Sequence, residues 1–385
     1  MPFSLSTVKG GGSSVAKSPS DVSFILQPNF VDKGSSLTPA LFLARKMHAI
    51  YTNHGVAMTI LTVRHITTYQ YKQPVSFGEH RMMLRPRESH DQRLLESKLE
   101  ITPKPTNLRW IQDVFCNHVA IAHFAGRAEA LRFASTIRLD HSPTDIVDMD
   151  IEDFARAYPF IYDARDLPDL AHFIERQSLD PQHQLDQWVH SFLRKGGSTN
   201  TRALLVNLTR TIQKTFIHVA RHEKGIQDPL LTLKIGSGSC RDLAMLMIEA
   251  VRSLGMAARF VSGYLYLPDD NDIGYAGGGN MHAWVQVYLP GPGWLDFDPA
   301  SGIVGNRDLI RVAAVRVPCQ AIPLHGDLDW FSLGLFGDDR RGQGHCRRCG
   351  RGQPPGTHMP GDGTVRLLHA GSRHERCGTK RSFPY

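Results

Sequence analysis

The stretch from Gly236 to Tyr266, GSGSCRDLAMLMIEAVRSLGMAARFVSGYLY, constrains the fold more than any other part of the chain. Gly236, Ser237, Gly238 and Ser239 supply a tight turn and a helix cap. Leu243, Leu246, Met247, Ala250, Val251 and Leu254 then recur at three- and four-residue steps, the mark of a helix with one apolar stripe. Gly255 stops it in the C′ position. A strand-like run, ARFVSGYLY, follows. Cys240 therefore stands at or just before the first turn, where unpaired N–H groups and partial positive charge gather. A thiol at that place loses its proton more easily, and the thiolate is the nucleophile. The same N–H groups can receive an oxyanion. Taken alone, Cys240 is equally well a small buried apolar residue. A base within reach is what separates the two readings.

The stretch NMHAWVQVYLPGPGWLDFDPASG supplies that base. His282 opens a strand whose even-numbered residues Trp284, Gln286 and Tyr288 share its side. Asp298 closes the next strand, with Trp294 and Asp296 on its side. A simple hairpin centred near Pro290 sets His282 opposite Asp298, roughly 5 Å apart between Cβ atoms. A bulge at the Pro–Gly turn shifts that pairing, and a slip of two makes Asp296 the rival carboxylate. The expected triad is Cys240 as nucleophile, His282 as general base and then acid, and Asp298 orienting the imidazole.

The net charge of +7 raises the question of nucleic acid, but its distribution answers it. Residues 1–57 carry +3, residues 58–324 balance to zero, and residues 325–385 carry +4. A neutral body is poor ground for a phosphate-binding surface, so no nucleic-acid partner is expected. No apolar run is long enough to span a bilayer, and the N-terminus lacks the ordered parts of a secretion signal, so no membrane partner and a cytoplasmic address are expected. Of the six cysteines only three, Cys116, Cys240 and Cys319, fall in the first 345 residues, sparse and unpaired in pattern, which fits free thiols in a reducing compartment.

Along the chain, residues 1–57 read as a loose leader. Residues 58–140 read as a small antiparallel β domain. TVRHITTYQY, LLESKLEIT and EALRFASTIRL are its strands, the last placing Leu131, Phe133, Ser135, Ile137 and Leu139 on one side. Residues 141–180 read as a linker with helical pieces. Residues 181–325 begin with helical periodicity in DQWVHSFLRK and ALLVNLTRTIQKTFIHVA and end in strands, the order of an α+β domain. Residues 326–385 form a Gly/Pro/Arg-rich tail expected to lack fixed structure.

The blocks GSGSCRDLA, LGMAARFVSGYLY and HAWVQVYLPGPGWLDFDPASG resemble the bacterial transglutaminase-like proteins of the papain-like cysteine superfamily. The resemblance covers roughly residues 58–325 and includes the N-terminal β domain. It implies a papain-like α+β core, with the cysteine helix packed on an antiparallel sheet. It implies Cys240, His282 and Asp298 as the catalytic residues. The family's aspartate lies four residues after the hairpin tryptophan, which selects Asp298 over Asp296. The implied activity is thiol-dependent acyl transfer at an amide carbonyl of a protein or peptide, as a cysteine protease, an amidase or a protein transglutaminase, with no cofactor and no metal. The alternative is a catalytically silent binding or scaffold module on the same fold. This chain departs from the family pattern in three places. Cys116 stands where a glycine is usual in the DVF-N turn, Asn280-Met281 where an acidic residue often precedes the histidine, and Ala300 where a threonine follows Asp-Pro. The resemblance fades after DWFSLGLFGDD, and a shifted reading frame produces an Arg/Gly/Pro-rich end of that kind.

Two other signals are weaker. Cys346 and Cys349 have zinc-like spacing, with His369, His374 and Cys377 downstream, but a zinc knuckle needs four ligands on a folded support that this tail does not offer. GYAGGGN, from Gly274 to Asn280, lacks the lysine and the strand–helix context of a phosphate loop. Gly277, Gly278 and Gly279 read instead as a flap over the cleft.

Overall fold

The computed structural model describes residues 23–26, 59–142, 150–221, 225–266 and 281–328. The glycine flap, the tail beyond residue 328 with its cysteines, and residues 1–58 apart from 23–26 lie outside these, while the first three residues expected in the tail belong to a strand.

The first sheet is built from β1 (Ser23–Leu26), β2 (Thr59–Met82), β3 (Gln92–Thr102), β4 (Asn107–Gln112), β5 (His118–His123) and β6 (Arg127–His141). Its order is β3-β6-β2-β5-β4, antiparallel along that path, with β1 joining β2 in parallel. The alternation expected in β6 holds: Leu131, Phe133, Ser135, Ile137 and Leu139 are all buried. Cys116, in the turn between β4 and β5, has φ of 62°. That is the left-handed region glycine favours, which accounts for glycine being the usual residue there. Asp113 holds the turn by accepting from the backbone N–H groups of Phe115 and Asn117 at 2.9 and 2.8 Å.

The connecting elements are β7 (Ala157–Tyr158), α1 (Leu167–Ile174), α2 (Gln184–His190), β8 (Thr199–Asn200), α3 (Thr201–Thr215), β9 (Ile217–His218), α4 (Pro229–Ile235) and β10 (Ser237–Gly238). The stretch expected as a linker buries Ile151 and Ala155 in the main core, and Tyr162 and Leu170 beside Ala257. The helical period expected through Ala220 ends early. α3 stops at Thr215, Phe216 is extended, and Ile217–His218 pair in parallel with Ser237–Gly238. A non-local partner overrides the local period here.

α5 (Cys240–Ser253) is the centre of the second half. Its stripe is buried as expected, but so are Met245, Ile248, Glu249 and Arg252, because elements pack on several sides of it. Glu249 accepts from the backbone N–H groups of Gln177 and Ser178, and Arg252 donates to Glu249 and to the carbonyls of Phe173, Ala258 and Arg316. Gly255, at φ of 77°, ends the helix. The second sheet comprises β11 (Ala258–Leu265), β12 (His282–Leu289), β13 (Gly293–Asp298), β14 (Ile303–Val304) and β15 (Leu309–Val315) in the order β14-β13-β12-β11-β15, all antiparallel. Ala283, Val285, Val287 and Leu289 of β12 face the α5 core, while Trp284 packs on the other side with Val261, Leu309 and Ala314. The result is an α+β core with its cysteine helix on an antiparallel sheet, preceded by an antiparallel β domain. β16 (Leu324–Leu328) then returns to the first sheet and pairs with β2. The two sheets also share a core of Leu61, Val63, Ile137, Leu139, Tyr264, Tyr266, Ile310 and Val312.

Candidate active site

Cys240 is the first residue of α5 and is half-buried. The turn before it is fixed from both sides. Gly236, at φ of 66°, closes α4, and Gly238 passes so close to the helix that an added Cβ would lie 2.8 Å from that of Asp242. The fully buried carboxylate of Asp242 accepts from the backbone N–H and the hydroxyl of Ser239 at 2.8 and 2.7 Å. It also accepts from Arg221 at 2.6 Å and from the backbone N–H of Gln227 at 2.7 Å. Burial alone would raise this carboxyl's pKa, but the Arg221 bond and these N–H donors hold it below the usual range. Asp242 thus locks the helix mouth in place and is consumed by that task.

His282 opens β12, and its Nε2 lies 2.7 Å from Oδ2 of Asp298, the last residue of β13. The pairing differs from the simple hairpin. Leu289 faces Gly293 and Val285 faces Phe297, so the turn is centred on Gly291 rather than Pro290. Asp298 therefore lies level with Trp284 and reaches His282 diagonally on the face they share. The cause is at the turn. Gly291 has φ of 100°, and an added Cβ there would lie 2.1 Å from the carbonyl oxygen of Asp150. Asp296, the rival carboxylate, is taken up elsewhere: Trp284 Nε1 donates to its Oδ1 at 2.6 Å and Arg311 to its Oδ2 at 3.0 Å. Asp298 Oδ1 accepts from the backbone N–H groups of Ala300 and Ser301 at 2.9 and 3.3 Å, so the carboxylate is held although Ala300 has no hydroxyl.

His218 and His282 are the two groups that lower the pKa of the Cys240 thiol. Since Nε2 of His282 is held by Asp298, Nδ1 is the ring nitrogen left for the sulfur. Surrounding protein pushes the thiol's pKa up, but the bonds to His218 and His282 and their charge bring it down to about 6. Burial pushes His282 down, but the charge and bond of Asp298, then the bond to Cys240, raise it to about 10. Asp298 is held below the usual carboxylate range, against burial, by the imidazolium and its backbone donors. These directions agree on one state, a thiolate beside an imidazolium backed by a carboxylate. The structure thus brings together all three residues singled out in the sequence. It adds His218 and Arg221, which the sequence reading missed. His218 lay hidden in a run read as helix, although the Phe216–Val219 cluster of aromatic and β-branched residues is a strand signal. Among the described residues no cluster of histidine, cysteine and carboxylate could hold a metal ion.

Two family models match parts of the chain. Residues 61–140 match the bacterial transglutaminase-like N-terminal region, and residues 189–299 match the transglutaminase-like superfamily. Over those residues the chain is similar to the transglutaminase-like superfamily. The matched core includes Cys240, His282 and Asp298. An uncharacterized protein of Mycobacterium leprae is 35% identical over 89 residues, 23% of this chain and only 31% of that relative. An uncharacterized protein of Mycobacterium tuberculosis is 28% identical over 280 residues, 69% of this chain and 86% of its own length. A solved structure from Cytophaga hutchinsonii, described as a candidate cysteine protease, superposes with a TM-score of 0.54 at 18% identity, covering 69% of this chain and 84% of its own. That likeness is one of fold. No helix among the described residues is long and apolar enough to cross a membrane.

Proposed function

We propose that this transglutaminase-like protein catalyses acyl transfer from an amide carbonyl through a thioester on Cys240. One observation carries the proposal: the cysteine at the mouth of α5 is bonded to His282, and His282 lies 2.7 Å from Asp298. The Cys240 thiolate attacks the carbonyl carbon, and the displaced electron pair on oxygen is met by N–H groups of the first turn of α5. His282 gives its proton to the departing amine, leaving a thioester and a neutral imidazole. The imidazole then takes a proton from water or from an acceptor amine, whose attack releases the acyl group. Asp298 keeps the ring aligned and favours its charged form. Attack by water makes the enzyme a protease or amidase, and attack by an amine makes it a transglutaminase. We favour hydrolysis, with a protein or peptide as substrate in the cytoplasm. Three free thiols among the described residues support that address.

Two measurements test this. Incubation with a peptide library, with and without an added amine, followed by mass spectrometry, should reveal cleaved or deamidated peptides, or amine-modified ones. Iodoacetamide should alkylate Cys240 fastest of all cysteines, and His282→Ala should slow that reaction by about tenfold or more at neutral pH. Alkylation indifferent to His282 would favour the silent scaffold instead.

A further inference from the structure

Two imidazoles, His218 and His282, lower the pKa of the Cys240 thiol, and the proposed triad uses only one. His218 stands on β9, whose pairing with β10 is short but well fixed. The N–H of Ile217 donates to the carbonyl of Gly236 at 2.8 Å, and that of Val219 to the carbonyl of Gly238 at 2.9 Å. His218 itself is registered with Gly238, two residues before the nucleophile. The pattern of this strand is inverted. Ile217 is 68% exposed and Val219 is 37% exposed, whereas the polar residue between them is half-buried. A strand folding only for burial would turn its apolar residues in and its histidine out.

We propose that His218 is a second catalytic imidazole, which donates its ring N–H to the Cys240 thiolate and keeps that proton throughout the reaction. This rests on the function proposed above and assigns a partner to the same nucleophile. The hydrogen-bonding arithmetic supports it. A thiol has one proton to donate and is a weak acceptor, so it satisfies two imidazoles poorly. A thiolate accepts from both, and hydrogen bonds to an ion are the stronger kind. The two rings divide the work. His282, backed by Asp298, is charged and passes its proton to the leaving amine. His218 only donates. When Sγ bonds to the carbonyl carbon, the C=O electron pair moves onto oxygen, the sulfur loses its charge, and the N–H of His218 loses its anionic acceptor without giving up the proton. The other charged groups about the sulfur are Asp298 behind His282, Arg241 next along α5, and Asp242 with its partner Arg221.

The test is the pH dependence of iodoacetamide alkylation at Cys240 in the full chain, which reads the thiolate directly. His218→Phe removes the donor while keeping a ring of similar size. Its alkylation profile should move up by about one pH unit, which makes the reaction roughly fivefold slower near pH 6 and about tenfold slower at pH 5. His218→Gln restores an N–H donor and should recover most of the loss at unchanged melting temperature. If the Phe variant does not fold, His218→Met asks the same question. A profile of the Phe or Met variant that superimposes on the wild type overturns the proposal. So does a Gln variant as impaired as the Phe variant, which would assign the ring to packing. His282→Ala, measured alongside, separates the two claims. If it slows alkylation and His218→Phe does not, only the second imidazole is lost. If neither has an effect, the triad is lost as well.

Discussion

Among single residues, Asp298 should govern the width of the active window under the proposed mechanism. The reactive state needs the thiol ionised, above about 6, and the imidazole protonated, below about 10. Asp298 raises the second limit by its charge and its bond, so its removal narrows the window from the alkaline side only. Asp298→Asn keeps a hydrogen-bonding partner for the ring but loses the charge. The alkaline limb of kcat/KM should fall by at least about one unit in this variant, while the acid limb stays near its wild-type position. Asp298→Ala also frees the ring to rotate, and kcat/KM at the optimum should drop by about a hundredfold or more. An alkaline limb unmoved in the Asn variant would show that Asp298 does not set the charge of His282.

The sequence makes some elements legible and hides others, for physical reasons. α5 could be placed because its signals are local: a small-residue turn, a stripe at helical period, and Gly255 at the stop. That His282 and Asp298 share a face follows from parity, which survives any even shift of register. The register itself did not follow, because Gly291 is held by the docking of Asp150, more than a hundred residues away. β9 stayed hidden for the same reason, since its partner lies at Ser237–Gly238 across α4. β11 shows what such long-range fitting demands. Gly263 is registered with His282, and an added Cβ would lie 2.1 Å from the carbonyl oxygen of Ile310 and 2.6 Å from the Trp284 ring. Backbone cannot retreat as a flexible side chain can. Gly263→Ala should therefore destabilise the protein by about 3 kcal/mol in urea unfolding. It should also slow Cys240 alkylation, because Trp284 stacks on His282 with ring centroids 6.2 Å apart. Wild-type stability in this variant would mean that β11 and β15 are free to separate.

Across the whole molecule, the first sheet is tied to the second sheet, which carries His282 and Asp298, through Arg311. From β15 this buried guanidinium donates to Asp296, which holds Trp284, and to Ser89 and Asp91, which precede β3. Asp91 also accepts from Asn306. Burial pushes the Asp91 carboxyl up, but the bond and charge of Arg311, helped by Ser89, bring it down to about 2. A carboxyl depressed on folding contributes stability that is complete above its unfolded value near 4 and is lost as pH falls through its folded value. The ion pair should therefore contribute fully at neutral pH, and its contribution, about 2 kcal/mol, should vanish between about pH 4 and pH 2. Asp91→Asn leaves Arg311 with one carboxylate instead of two and should cost about 3 kcal/mol at pH 7. Urea unfolding at stepped pH checks this directly. The difference between wild type and variant should be constant from pH 7 to about 5 and shrink towards pH 2. A difference that persists at the lowest pH would mean that Asp91 acts by shape rather than charge. Because Arg311 also orients Asp296 beneath Trp284, the same variant should slow alkylation of Cys240, linking the β domain to the chemistry through four named side chains.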